Sequence, residues 1–220
     1  MLEKEILGMK YLITEPADQE KKHPVIFLLH GAGTRSDNTE KLRGGIYFAH
    51  TQALPDFPFV TVAPLCSENT WFDMMAQIKA LVRHVAALPF VDASRLYLMG
   101  ASMGGYATWQ LAMSMPEAFA AIAPVCGGGM YWNGARLKNL PIWAFHGAKD
   151  KTVLVEESIK MVEKVNAFGG NAKLTIYPEN FHDAWTDTYT NPELYAWFLQ
   201  HRSSGAALAA DTYNNVEKFG

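Results

Sequence analysis

Ser102 stands in Gly100-Ala101-Ser102-Met103-Gly104-Gly105, directly after the apolar run 95–99 (RLYLM) and at the opening of a helical stretch. The pattern is G-x-S-x-G. Small residues at 100 and 104 let a sharp strand-to-helix turn close. Such a turn lifts the serine hydroxyl above a sheet edge, with the positive end of a helix behind it. The plain alternative is a glycine-rich turn with an incidental serine, and the flanking strand and helix weigh against it. A serine hydroxyl is a poor nucleophile near pH 7 and needs a base.

Seven histidines could supply that base. His23, His50, His84 and His201 lie in polar or mid-helix surroundings. His30 and His146 each end an apolar run as His-Gly, near the right edge. His182 lies in 179–185 (ENFHDAW), the loop after the last apolar run. For this motif the expected chain order is serine, acid, histidine. Among histidines after Ser102 and a suitable acid, His182 alone sits in a strand-end loop, so it is the expected base.

The acid must hold the imidazole tautomer and stabilise the imidazolium. Asp150, in 146–153 (HGAKDKTV), occupies the strand-end loop between serine and histidine. Asp183 adjoins His182 and is poorly placed to fold back onto the same ring. Glu156 and Glu157 read as acids favouring a helix start. A tetrahedral oxyanion needs about two fixed donors. The Met103 amide, just after the serine, is one candidate. The other comes from His30-Gly31-Ala32-Gly33, with the Ala32 amide favoured and Gly33 second. His30 then shapes that loop and moves no proton. Phe72, Tyr131 and Trp132 could line a pocket, but Trp71 and Trp185 are the aromatics expected to touch substrate.

These residues need a scaffold that brings loop ends together. Continuous apolar runs at 25–29 (VIFLL) and 59–63 (FVTVA) read as strands buried on both faces. Runs at 95–99, 119–125, 141–145 and 172–177 follow, and residues 5–14 suggest an edge strand. Helices are expected at 73–88, 103–115, 156–168 and 192–201, with apolar residues at helical spacing and Pro or Gly stops. Alternating strand and helix implies an α/β fold, a mostly parallel central sheet with helices on both faces. In such sheets ligands bind at the carboxyl ends of the strands, where all the motifs above fall.

The chain has 220 residues, 49% hydrophobic and 19% charged, with net charge −3. One domain over 1–220 is expected, its core spanning about 20–200, with 203–220 an unplaced tail. The weakly acidic balance argues against nucleic-acid or anionic-membrane partners. Two cysteines exclude a disulfide framework and a Cys-based zinc site. Cys66 and Cys126 read as small, partly buried thiols, with a bridge left open. No run reaches the ~18 apolar residues of a membrane span. The N-terminus lacks the apolar region of a signal peptide. The sequence as given reads as cytoplasmic; a leader removed beforehand would make the protein secreted.

HGAG at 30–33, GASMGG at 100–105, HGAKDKTV at 146–153 and FHDAW at 181–185 together resemble the α/β-hydrolase superfamily across roughly residues 20–200. The nearest likeness is to compact serine esterases: phospholipase/carboxylesterase, dienelactone-hydrolase-like and predicted-peptidase proteins, related to feruloyl and acetyl-xylan esterases. The chain departs from true dienelactone hydrolases, which place Cys where Ser102 stands. The resemblance implies a Ser102–Asp150–His182 triad, with the Ala32 and Met103 amides as oxyanion hole and no metal or organic cofactor. It implies hydrolysis of small-molecule or carbohydrate-linked esters. A peptidase or thioesterase with the same triad is the alternative, and a silent binding fold a further one. Only 34–57 and 127–139 are sizeable insertions, so no large lid is expected, and an open cleft suits small or surface-presented esters.

Overall fold

The computed structural model describes residues 1–54 and 56–204. Eight strands form one sheet: β1 (Leu2–Ile6), β2 (Met9–Ile13), β3 (His23–Leu29), β4 (Val60–Pro64), β5 (Val91–Ala101), β6 (Ala121–Val125), β7 (Ile142–Gly147) and β8 (Ala172–Tyr177). Their order is β1-β2-β4-β3-β5-β6-β7-β8. The pairs from β4 through β8 are parallel, while β1 and β2 join antiparallel at one edge. This is the expected α/β architecture with a mostly parallel sheet.

Residues 5–14 differ from the single strand expected. Leu7 and Gly8 both take positive φ, 49° and 77°, and fold the segment into the β1–β2 hairpin. Two successive positive-φ residues make the tight turn that matches strand twist. Asn-Gly would have announced it, and Leu-Gly does not.

The helices are α1 (Glu40–Arg43), α2 (Ile46–Gln52), α3 (Met75–Ala86), α4 (Met103–Ser114), α5 (Glu156–Ala167), α6 (Trp185–Thr190) and α7 (Pro192–Leu199). Side-chain alternation in the strands divides the core into two layers. Val25, Phe27, Leu29, Leu96 and Leu98 pack against α3, α4 and α5. Ile26, Leu28, Tyr97 and Met99 face the side covered by α1, α2, α6 and α7. The insertion at 34–57 therefore carries two short helices, and 127–139 a 3-10 turn over Tyr131–Leu137. No helix among the described residues is long and apolar enough to cross a membrane. Cys66 and Cys126 are free thiols, both fully buried.

Beyond α7 the chain returns to the start of β5. Arg202 Nη1 donates to Asp92 Oδ2 at 3.1 Å and to Ser94 Oγ at 3.0 Å, and the Ser203 amide donates to Ser94 O at 2.8 Å. Residues 205–220, most of the expected tail, lie outside the described residues. Burial raises the Asp92 carboxyl, but hydrogen bonds from Ser94 and Arg95 outweigh it and hold the group at about 2. A carboxyl lowered on folding adds stability above its unfolded pKa of about 3.9 and loses it as pH falls toward the folded value. Asp92→Asn is expected to cost about 1–2 kcal/mol at pH 7. The deficit should close between pH 4 and 2, the window set by those two pKa values. Melting curves of both proteins across that range check it, and a deficit unchanged at pH 2 would overturn it.

Candidate active site

Ser102 lies between β5 and α4 with φ 56° and ψ −118°. A non-glycine residue here is strained, and the surroundings fix it. Its amide donates to Val125 O at 2.9 Å and its carbonyl accepts from the Tyr106 amide at 3.0 Å. Gly104 is forced by contact: a Cβ there would overlap Leu29 O and sit 2.6 Å from Leu29 C. At Gly100 a Cβ would meet Gly104 O at 2.5 Å and Leu29 O at 2.7 Å.

His182 Nε2 stands 2.8 Å from Ser102 Oγ, and its Nδ1 stands 2.6 Å from Asp150 Oδ2. Three residues 48 and 32 positions apart thus form one hydrogen-bonded line. The carboxylate accepts from Nδ1–H, which leaves Nε2 to accept the Ser102 proton. Asp150 Oδ1 also accepts from the amides of Thr152 and Val153 at 2.9 and 3.0 Å. Burial raises the Asp150 carboxyl, and the hydrogen bonds from His182, Val153 and Thr152 outweigh that and hold it below its ordinary value. An imidazole between a hydroxyl and an ionised carboxylate can take the proton and carry the resulting charge. Asp183, next in sequence to His182, is exposed instead.

Behind Asp150 lies a buried support that sequence reasoning leaves unassigned. His146 Nε2 donates to Val153 O at 2.9 Å, closing the turn that carries Asp150. Its Nδ1 contacts Ser158 Oγ at 2.8 Å, and Ser158 donates to Gly127 O at 2.9 Å. Cys126 Sγ, His146 and Asp150 offer three donor atoms within 4.8 Å of one another. Burial, with the Asp150 charge adding to it, pushes the thiol up to about 12. Both His146 ring nitrogens and Asp150 Oδ2 are already engaged, by Ser158, Val153 O and His182, and the cluster reads as packing around the carboxylate.

The loop after β3 is held from two sides. His30 Nε2 accepts from the Cys66 amide at 3.0 Å, and its Nδ1 donates to Gly31 O at 2.8 Å. Burial pushes the imidazole down to about 4, so the ring is neutral near pH 7 with both nitrogens engaged. It shapes the loop, as expected. Ala32 opens the 3-10 turn Ala32–Thr34, and Met103 opens α4. First-turn amides have no partner within their helix.

Trp71 corrects one expectation. It is fully buried, donates from Nε1 to His30 O at 2.9 Å, and lies against the His30 ring at 4.8 Å with the planes tilted by 55°. It braces the loop and does not reach the cleft. Trp185 does line the cleft, its ring perpendicular to His182 at 5.3 Å. Phe72, Tyr131 and Trp132 are exposed and outside it.

The cleft itself has a volume of about 480 Å³ and runs from Ser102 and His182 to a wall of Leu42, Ile46, Tyr47, Phe48 and Tyr189. That wall comes from α1, α2 and α6. Its residues carry no catalytic signature, and only the tertiary fold brings α2 against α6, where Tyr47 and Tyr189 meet edge-on at 5.8 Å.

The model of the dienelactone hydrolase family matches residues 61–216. The Schizosaccharomyces pombe protein "Putative dipeptidyl aminopeptidase" is 26% identical over 235 residues, covering 87% of this chain. The Aspergillus niger protein "Probable feruloyl esterase C" is 25% identical over 196 residues, covering 84% of this chain. The chain spans 29% of the first and 72% of the second. The crystal structure of a thermostable esterase superposes with a TM-score of 0.77 at 32% identity, over 88% of this chain and 59% of that one.

Proposed function

The chain belongs to the dienelactone hydrolase family, and from that premise we propose that it is a serine carboxylic-ester hydrolase acting through an acyl-enzyme on small or surface-presented esters. The observation that carries the proposal is the line Ser102 Oγ–His182 Nε2–His182 Nδ1–Asp150 Oδ2, at 2.8 and 2.6 Å. In this reading Ser102 attacks the ester carbonyl as His182 takes its proton. Asp150 holds the imidazole in the right tautomer and stabilises its positive charge. The Ala32 and Met103 amides receive the oxyanion, each such donor worth roughly 10²–10³ in kcat. His182 then protonates the departing alcohol, and a water activated by the same imidazole releases the acid and restores Ser102. Every step runs on these side chains and two amides and calls on no cofactor. Trp185 lines the substrate path beside His182.

A panel of substrates tests the reading. Nitrophenyl esters of increasing acyl length are run beside feruloyl and acetyl-sugar esters, a thioester and a peptide amide. The likeness to the Aspergillus niger protein motivates the feruloyl ester, and that to the Schizosaccharomyces pombe protein motivates the peptide. Turnover of short esters is expected to exceed that of the peptide amide by at least about 100-fold, a gap of about 2.7 kcal/mol in transition-state binding. Peptide cleavage without ester turnover would overturn the proposal in favour of a peptidase.

A further inference from the structure

A second cavity, of about 460 Å³, opens on the far side of α2, between that helix and the starts of β3 and β4. Its walls include Thr51, Phe57, Phe59 and Thr61. Among the described residues, Phe48 alone borders both this cavity and the catalytic cleft. Phe48 is 2% exposed, and its ring packs edge-on against Tyr47 at 5.3 Å. Tyr47 is fixed in turn by its hydroxyl against Thr61 Oγ1 at 2.8 Å. One clamped ring therefore stands between two spaces of nearly equal size.

We propose that Phe48 is a specificity-determining residue: its ring is the partition that ends the catalytic cleft and limits the length of the ester arm lying along α2. The inference rests on the esterase reading above. With the ring in place, the arm must end against Leu42, Tyr47 and Phe48. With the ring removed, the arm continues into the second cavity, past Phe57 and Phe59. Phe57 and Phe59 give that cavity an apolar stretch, and Glu15, Asp18 and Asp56, which also line it, disfavour an anionic arm. Phe48 belongs to the cleft wall, so its truncation is expected to change turnover of every ester, and the readout is the ratio of long to short members within each series.

The test uses Phe48→Ala with Phe48→Leu, which keeps more packing if the first variant folds poorly. Two homologous series are measured: nitrophenyl esters from propionyl to decanoyl, and acetates of alcohols of the same lengths. Wild type should fall off at short length in the series whose arm runs along α2. In the variants, kcat/KM for the longer members relative to propionyl or ethyl should rise by about 10-fold or more, the scale of added methylene contacts in an apolar pocket. Calorimetric binding of straight-chain carboxylates and alcohols provides a readout that needs no turnover. If the binding length limit moves outward while no protein hydrolyses any ester, the partition stands and the esterase reading falls. If esters are hydrolysed but the length profile of the folded variants matches wild type in both series, the partition is overturned.

Discussion

Ser102→Ala is expected to abolish ester turnover, lowering kcat by on the order of 10⁴–10⁶ while leaving the fold intact. The magnitude follows from removing the group that forms the covalent bond. What survives, on the proposed mechanism, is binding and the two amides assigned to the oxyanion, which would act on a carbonyl no longer attacked from the enzyme side. Folding should be little changed, because alanine keeps the Cβ that already fits at φ 56° and removes only a hydroxyl whose partner, His182, is partly open to solvent. Three measurements belong together: kcat on a short nitrophenyl ester, labelling by a fluorophosphonate, and the melting temperature. Turnover and labelling should vanish with melting unchanged. Labelling that persists in Ser102→Ala would remove Ser102 from the role of nucleophile. A wild-type protein that takes up no label would favour a silent binding fold.

Gly104→Ala should be as damaging to folding as Ser102→Ala is to chemistry. The added methyl would overlap Leu29 O and lie 2.6 Å from Leu29 C and 2.9 Å from His30 O. All three are backbone atoms at the end of β3, which is hydrogen-bonded between β4 and β5 and cannot retreat. Either α4 lifts off the sheet or the loop carrying Ala32 shifts. A cost above about 4 kcal/mol is expected, the range reserved for steric conflict or cavities in a core. For a domain of this size that is a melting drop of at least about 8 °C, or loss of soluble protein. Gly44→Ala is the control, since nothing lies within 4 Å of a Cβ there, and its melting should match wild type. Wild-type melting of Gly104→Ala would show that the strand-to-helix contact is looser than described.

The strands are legible in the sequence because burial on both faces leaves a continuous apolar run, as in 25–29. The three hydrogen-bonded groups are legible because each follows such a run, and parallel strands deliver all their ends to one edge. Asp150 over Asp183 is legible for the same reason: strand ends, not neighbours in sequence, meet at the site. What escapes is set by tertiary contact. Helices α1, α2 and α6 are four, seven and six residues long, and none has a side-chain cap hydrogen bond. Their burial against each other and the sheet holds them, so they read as loop. Trp71 escapes because an aromatic beside a functional loop can face outward or inward. Its indole N–H finds its partner in a carbonyl 41 residues away.

The link from Arg202 and Ser203 to Asp92 and Ser94 places Ser204 at the entry end of β5. Ser102 is at the exit end of the same strand, eight residues beyond Ser94, or roughly 25 Å at the rise of an extended chain. A bead, surface or reporter attached through residue 204 would thus sit at the opposite pole from the cleft. The protein could be immobilised there with its substrate entrance facing the bulk solution.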